Sequence, residues 1–361
     1  MQGGCGEKKR GPWTGGLLQR RRRAEVTMKK LTINEIAERA GVSKTTVSFY
    51  LNGKTNKMSD ETKRRIQHII DETGYEPNAA ARAMKAKSSG MIGVILGDLA
   101  DPYSCQALKG LEDAAGSQNI QVMVAGSGMN FNSEKEIVER MLKMGAEGFI
   151  IQSTYRFGMM AGSLEKKRRP IVYLDAKPYD YRGRCVKSNH YECVYQVITE
   201  CIGKGYEDFM MFSDDFSTSS TGFESMQGYK DALQDAVRDG GTFYMAEGRR
   251  SGDVYEVLSQ NLNLERRTLI YVADPPLYQV VYQALRRYPD YMELLKGRVG
   301  LIGFDCDGWT RMTAPPLAAI ITPAYQEGVK AAEELMDILD GKKAEGDVVF
   351  KNIVKYRESV N

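Results

Sequence analysis

The stretch SKTTVSFYLNGK, Ser43 to Lys54, sets an ammonium group (Lys44), several hydroxyls (Ser43, Thr45, Thr46, Ser48) and one aromatic (Phe49) on a short run of helical character. Hydroxyls and lysine suit contacts with phosphates and base edges, so the run reads as a helix made to lie in a DNA groove. Phe49 stands where a hydrogen-bonding side chain would serve that purpose better. Catalytic sets are thin by comparison. The chain has 2 histidines, which limits general-base chemistry. No GxGxxG follows a strand-like run, and neither a P-loop nor a GxSxG occurs. The six cysteines, at 5, 105, 185, 193, 201 and 306, form no CxxC, so a zinc site is poorly supplied. No catalytic residue, metal or cofactor is expected, and free thiols fit a reducing cytoplasm.

The elements that position these residues start from size and charge. At 361 residues the chain exceeds one compact core, and 42% hydrophobic with 27% charged residues is an ordinary soluble composition. No apolar run approaches the roughly 20 residues of a membrane span, and GGLL is too short for a signal-peptide core. The net charge of +3 is unevenly spread. Residues 1–27 carry seven Lys/Arg against two Glu, and residues 28–88 carry twelve against seven Asp/Glu, which leaves the remainder at −7. A basic head on an acidic body suits a polyanion at the head alone, although charge by itself leaves a solvated surface equally open.

Residues 1–27 lack periodicity and read as a disordered basic extension. A second methionine, Met28, stands just before the first clear pattern and is a possible true start; otherwise Arg20 to Arg23 add nonspecific phosphate contacts. In TINEIAERAG, Thr32 and Glu35 form a capping box, Ile33, Ile36, Ala37 and Ala40 share a face, and Gly41 ends the helix. Ser43 caps a second helix with Val47 and Leu51 inward. Ser59 caps a third with Ile66, Ile69 and Ile70 inward, stopped by Gly74 and Pro77. This is a helix-turn-helix plan over 28–76, too small to stand without a body. Residues 77–90 read as a linker able to become helical when supported. From Met91, apolar runs at 91–96, 120–126, 147–152, 170–175, 208–212, 242–247, 268–274 and 299–305 alternate with helical segments such as 104–117, 134–145, 222–238, 276–288 and 324–340. That rhythm predicts an α/β body with two parallel sheets, its ligand at strand carboxyl ends or between two lobes.

These stretches together, LTINEIAERAGVSKTTVSFYLNG, MSDETKRRIQHIIDETGYEPNAAARAM, IGVILGDLADPY, GAEGFII, LIGFDCD and IVKYRES, resemble the lactose-repressor (LacI/GalR) family of transcription regulators. The resemblance implies a helix-turn-helix head, a hinge helix, and a two-lobed body like periplasmic sugar-binding proteins. It divides the body over 91–361 into an N-lobe of about 91–188 and 323–349 and a C-lobe of about 189–322 and 350–361. It also implies a homodimer on a palindromic double-stranded operator, controlled by a small-molecule effector such as a carbohydrate, in the bacterial cytoplasm. No leucine heptad closes the chain, so a dimer rather than a tetramer is expected.

By this resemblance Lys44, Thr45 and Phe49 are the principal base-reading positions, with Thr46 and Ser48 beside them and the caps Thr32 and Ser43 at phosphates. Phe49 either meets a thymine methyl or packs on the head itself. Asn78, Ala81, Arg82 and Met84 match the hinge motif, with Met84 as the wedge levered into the minor groove. Tyr103, Gln152, Asp175, Asp274 and Asp305 match effector-cleft positions, where a carboxylate can accept a pair of sugar hydroxyls. Ser225 replaces a clamping arginine, Asn189 and His190 replace an Asp-Asn pair, and Thr322 replaces a glutamine, so an ordinary hexose is not assumed. A lone histidine such as His190 is more often a hydrogen-bonded side chain than a pH sensor. Two other readings stay open: the same architecture without an effector response, and a small-molecule-binding α/β protein with an incidental basic head.

Overall fold

The computed structural model describes residues 31–56, 58–75, 88–179, 181, 183–215, 219–236, 242–245, 251–306, 308–343 and 346–360. The expected extension 1–27 and the hinge positions Asn78, Ala81, Arg82 and Met84 lie outside them. The chain divides into two compact units, Met1–Ala86 and Lys87–Asn361.

In the first unit, α1 (Ile33–Ala40) starts at a complete capping box. The Thr32 N–H donates to Glu35 Oε2 at 2.6 Å, and the Glu35 N–H donates to Thr32 Oγ1 at 3.4 Å. Gly41 then takes φ +61, a left-handed turn that glycine adopts without a Cβ penalty. The hydroxyl of Ser43 accepts the Thr46 N–H at 3.1 Å and opens α2 (Lys44–Leu51); Ser59 does the same for α3 (Asp60–Thr73) through Thr62. Ile36, Ala37, Ala40, Val47, Ile66 and Ile69 form the buried centre. Ile33, Leu51 and Ile70, expected inward, are only partly buried against it, as three short helices enclose little volume.

The second unit has two lobes. The first runs through β1 (Met91–Leu96), α4 (Pro102–Ser117), β2 (Gln121–Gly126), α5 (Phe131–Met144), β3 (Phe149–Ile151), α6 (Gly158–Lys166), β4 (Ile171–Leu174) and β5 (Arg184–Ser188). The second runs through α7 (His190–Gly203), β6 (Asp208–Ser213), α8 (Ser220–Asp235), β7 (Thr242–Met245), α9 (Ser251–Asn261), β8 (Thr268–Val272), α10 (Pro275–Leu285), α11 (Tyr291–Gly297), β9 (Val299–Asp305) and β10 (Ala318–Ile321). The chain then returns as α12 (Ala324–Leu339) and β11 (Val348–Phe350), and ends on β12 (Ile353–Lys355). It thus crosses between the sheets near Asn189, near Thr322 and near Asn352.

Each sheet has six strands, ordered β11-β5-β4-β3-β1-β2 and β12-β10-β9-β8-β6-β7. All pairings are parallel except β10 with β12. Strand order reverses between β1 and β3 in one sheet and between β6 and β8 in the other, which opens a crevice at their carboxyl ends. Both faces are covered. Ile92, Val94, Leu96, Val172 and Leu174 pack on one side of the first sheet, and Ile95, Phe149, Ile151, Ile171 and Tyr173 on the other. In the first lobe α4 and α12 meet backbone to backbone. A Cβ at Gly328 would overlap the Ala107 carbonyl oxygen, so only glycine allows this approach.

The strands β5, β10, β11 and β12 are additional to the eight apolar runs. β5 reads RCVKS, whose polar residues mask a mostly buried strand, and β11 and β12 are three-residue edge strands. Among the described residues no helix is long and apolar enough to cross a membrane.

Candidate functional site

On the head, α2 turns Val47 inward, while Lys44, Thr45 and Phe49 are exposed; Thr46 and Ser48 are half-buried. Positions 44, 45, 48 and 49 fall on one arc of a helix, opposite the buried side. Phe49 is 49% exposed. The Tyr50 hydroxyl bonds Gln67 and ties α2 to α3, which fixes the angle at which this face is presented. The Ser43 hydroxyl also bonds Thr46 Oγ1 at 2.8 Å.

In the body, a cavity of about 850 Å³ lies between the lobes at the carboxyl ends of the strands. β1, β3 and β4 deliver Asp98, Gln152 and Asp175 from one side; β6 and β8 deliver Asp214, Asp215 and Asp274 from the other. Asp101 caps α4 by accepting the Tyr103 N–H at 3.3 Å. The Asp274 carboxylate accepts the Asp214 N–H at 2.7 Å. Asp175 sits at φ +62, a strained backbone for a non-glycine residue and one that marks functional positions. Its Oδ2 accepts Gln152 Nε2 at 2.8 Å and Thr221 Oγ1 at 3.4 Å, and Gln152 Oε1 in turn accepts the Gly97 N–H at 2.9 Å. His190 Nε2 stands 3.5 Å from Asp175 Oδ1, and its ring lies 5.1 Å from that of Phe304.

Behind this wall is Glu327 on α12. It accepts Tyr103 Oη at 2.6 Å and the hydroxyl of Ser188, and so links α4 and α12 to the crossing segment next to His190. Burial pushes the Glu327 carboxyl up to about 6, with the nearby Asp175 charge adding to the effect. Asp101 is likewise pushed up to about 6 by burial and by the charges of Asp175, Asp98 and Asp274. Burial opposes a charge on His190, but the Asp175 carboxylate outweighs that and raises its pKa above the usual value. The Cys306 thiol at the cavity wall is held well above the ordinary range by burial, and so stays protonated.

Residues 32–78 match the model for bacterial regulatory proteins of the lacI family, and residues 89–262 match that for periplasmic binding proteins and the sugar binding domain of the LacI family. The chain belongs to the lacI family of bacterial regulatory proteins. It is 27% identical to the probable HTH-type transcriptional regulator EndR of Paenibacillus polymyxa, over 91% of this chain and 98% of that protein. It is 26% identical to the HTH-type transcriptional regulator KdgR of Bacillus subtilis, over 86% of this chain and 92% of the relative. The crystal structure of the Lac repressor dimer bound to operator and the anti-inducer ONPF has the same fold, with a TM-score of 0.75 at 19% identity, over 92% of this chain and 99% of that one.

In this lacI-family regulator the positions expected at the effector fall in two groups. Tyr103, Gln152, Asp175, Ser225 and Asp274 all line the cavity. Asp305 does not: it is fully buried, and its carboxylate is taken up by the Gly308 N–H, the Thr310 N–H and the Thr310 hydroxyl, so it shapes the loop after β9. Asp98, Asp214 and Asp215 also line the cavity, within two residues of the ends of β1 and β6, and were not among the positions that the family resemblance implied. Glu327 had no such strand-end signal, being an acid in the first turn of α12 whose burial depends on the close approach of α4 and α12. Thr322 and His190, read as departures from the family pattern, line the cavity as well.

Proposed function

We propose that this lacI-family regulator is a repressor that binds a palindromic operator as a homodimer, and that a small polyhydroxyl metabolite in the interlobe cavity controls its affinity for DNA. Lys44, Thr45, Thr46, Ser48 and Phe49 read bases from α2, while the Thr32 and Ser43 caps sit at phosphates. Residues 77–90 act as the hinge, with Met84 as the minor-groove wedge and Asn78, Ala81 and Arg82 beside it. Tyr103, Gln152, Asp175, Ser225 and Asp274, joined by His190, hold the ligand. The protein works in the cytoplasm and catalyses no reaction.

Mechanistically, ligand binding favours one arrangement of the lobes, and the lobe spacing across the dimer decides whether paired hinges can insert. Differential affinity of the ligand for the two arrangements supplies all the energy available for this coupling. The observation that carries the reading is one chain pairing an exposed polar α2 face with an interlobe cavity lined by strand-end carboxylates. In vitro selection of genomic DNA by the purified full chain tests it. A two-fold symmetric consensus is the expected outcome; recovery of DNA without any consensus contradicts it.

A further inference from the structure

We propose that the body of this regulator touches DNA directly, through the run Lys166, Lys167, Arg168 and Arg169 at the amino end of the first sheet, and that it holds backbone phosphates there without reading bases. This rests on the reading of residues 77–90 as a hinge held on DNA. The run closes α6 and leads into β4. Lys166, Lys167 and Arg168 are exposed and Arg169 is half-buried. The backbone fixes the turn that carries them. The Lys167 N–H donates to the Ser163 carbonyl at 3.3 Å, the Arg168 N–H to that of Glu165 at 2.8 Å and the Arg169 N–H to that of Leu164 at 2.9 Å, with Arg168 at φ +54. Lys143, also exposed, adds a fifth cation ahead of β3. In the segments that lead into β1, β3 and β4 the acids are Glu147 and Glu165, so five cations stand against two carboxylates on a body that is acidic as a whole.

Two observations separate this run from an ordinary solvated surface. Among the described residues none of the five cations makes an ion pair. The matching segments of the second sheet carry cations too, but those are engaged. Arg266 pairs with Asp208 at 3.2 Å and Lys296 with Glu358 at 3.4 Å, while Arg267 and Arg298 donate to the carbonyls of Lys204 and Glu265 at 2.6 and 3.2 Å. The second observation is position. The chain from the head enters the body at Gly90 and Met91, where the Ser88 hydroxyl donates to Glu147 Oε2 at 2.9 Å and the Ser89 hydroxyl to the Gly145 carbonyl at 2.7 Å. The strand ladders set Gly93, Phe149 and Ile171 level, so Met91, Glu147 and Arg169 stand level two residues earlier. From β1 to β4 is two strand spacings, about 10 Å in all. Met84 precedes Gly90 by six residues, a length of chain that spans at most about 22 Å. A hinge held in the groove at Met84 therefore keeps this end of the first sheet near the duplex, where unpaired lysine and arginine side chains displace the counterions of its phosphates.

Fluorescence anisotropy of the full chain, on its selected duplex and on a scrambled duplex over a series of salt concentrations, tests this. The variant is the triple Lys166→Gln, Lys167→Gln, Arg168→Gln, which spares the half-buried Arg169. It should bind both duplexes more weakly by the same factor, at least about tenfold at physiological salt, and leave the ratio between them unchanged. The slope of log affinity against log salt should become shallower by about 2, since one phosphate contact contributes about 0.9 and a dimer doubles it. Lys166→Arg with Lys167→Arg keeps the charge and should keep both affinity and slope. An unmoved slope in the triple variant, with or without a loss of affinity, overturns the proposal. So does a loss confined to the selected duplex, or a shallower slope in the charge-retaining variant. The parent chain separates the two readings. If it prefers neither duplex, the operator reading fails and the slope alone decides the body contact; if it prefers the selected duplex while the triple variant keeps its slope, the operator reading stands and the body contact fails.

Discussion

Phe49 and Glu327 carry the sharpest tests at the scale of single residues. Phe49 is 49% exposed and is absent from the packed centre of the head. Phe49→Ala should therefore change the stability of the head by less than about 0.5 kcal/mol. Its effect should appear instead as relaxed preference at one position of each operator half-site, with an unchanged salt slope of binding. A lowered denaturant midpoint with intact preference would return Phe49 to a packing role. Glu327 and Asp101 predict a pH effect whose sign is fixed by their raised pKa values. Both are pushed to about 6 in the fold, so the native state binds more protons than the unfolded chain between about pH 4 and 6. Their contribution to stability declines as pH rises through that window and is flat above it. The double variant Asp101→Asn, Glu327→Gln should lose this component. The difference between its denaturation midpoint and that of the parent should grow in the variant's favour from pH 4 to 6; a constant difference would contradict the assignment.

Helix starts and close backbone contacts set the predictions at the scale of elements. Thr32→Ala removes the capping box of α1 and should cost about 1 kcal/mol in the head, read from its thermal midpoint. Gly328→Val forces a side chain into the Ala107 carbonyl, where the backbone of α4 cannot yield as a side chain would. It should cost at least about 3 kcal/mol in the body and, by moving Glu327 away from Tyr103, weaken ligand binding; a neutral substitution would contradict the packing described. The same scale shows what the sequence disclosed. Caps and glycine stops are local chemistry, so the three head helices were legible almost to the residue, and β1 and β9, unbroken apolar runs at 91–96 and 299–305, were legible to their ends. β5 was not, because a strand between β4 and β11 can carry Arg184 and Lys187 when Glu334 and Glu224 stand opposite them. Within the cavity, strand-end acids followed a positional rule. Asp305 obeyed the same rule yet turned its carboxylate to its own loop, a choice that only the packing of Thr310 reveals.

Across the whole chain, charge and topology divide the labour. The net charge is +10 over residues 1–88 and −7 over the rest, so most of the attraction to DNA belongs to the head while the body presents a carboxylate-rich cavity. Three crossings join the lobes. Contacts across the cleft, Lys177 N–H to the Ser220 hydroxyl at 3.1 Å and Lys187 to Glu224, are placed to register how the lobes sit. Under the proposed function, a ligand spanning Asp175 and Asp274 would act on this same geometry. The most direct test of the central claim is fluorescence anisotropy of the full chain on its selected duplex and on a scrambled duplex of equal length, at physiological salt. A ratio of at least about 10³ in favour of the selected duplex is predicted, falling toward unity in the Lys44→Ala, Thr45→Ala double variant, whose binding to the scrambled duplex changes little. Equal affinity for both duplexes, or a ratio unmoved by the double variant, would contradict the account.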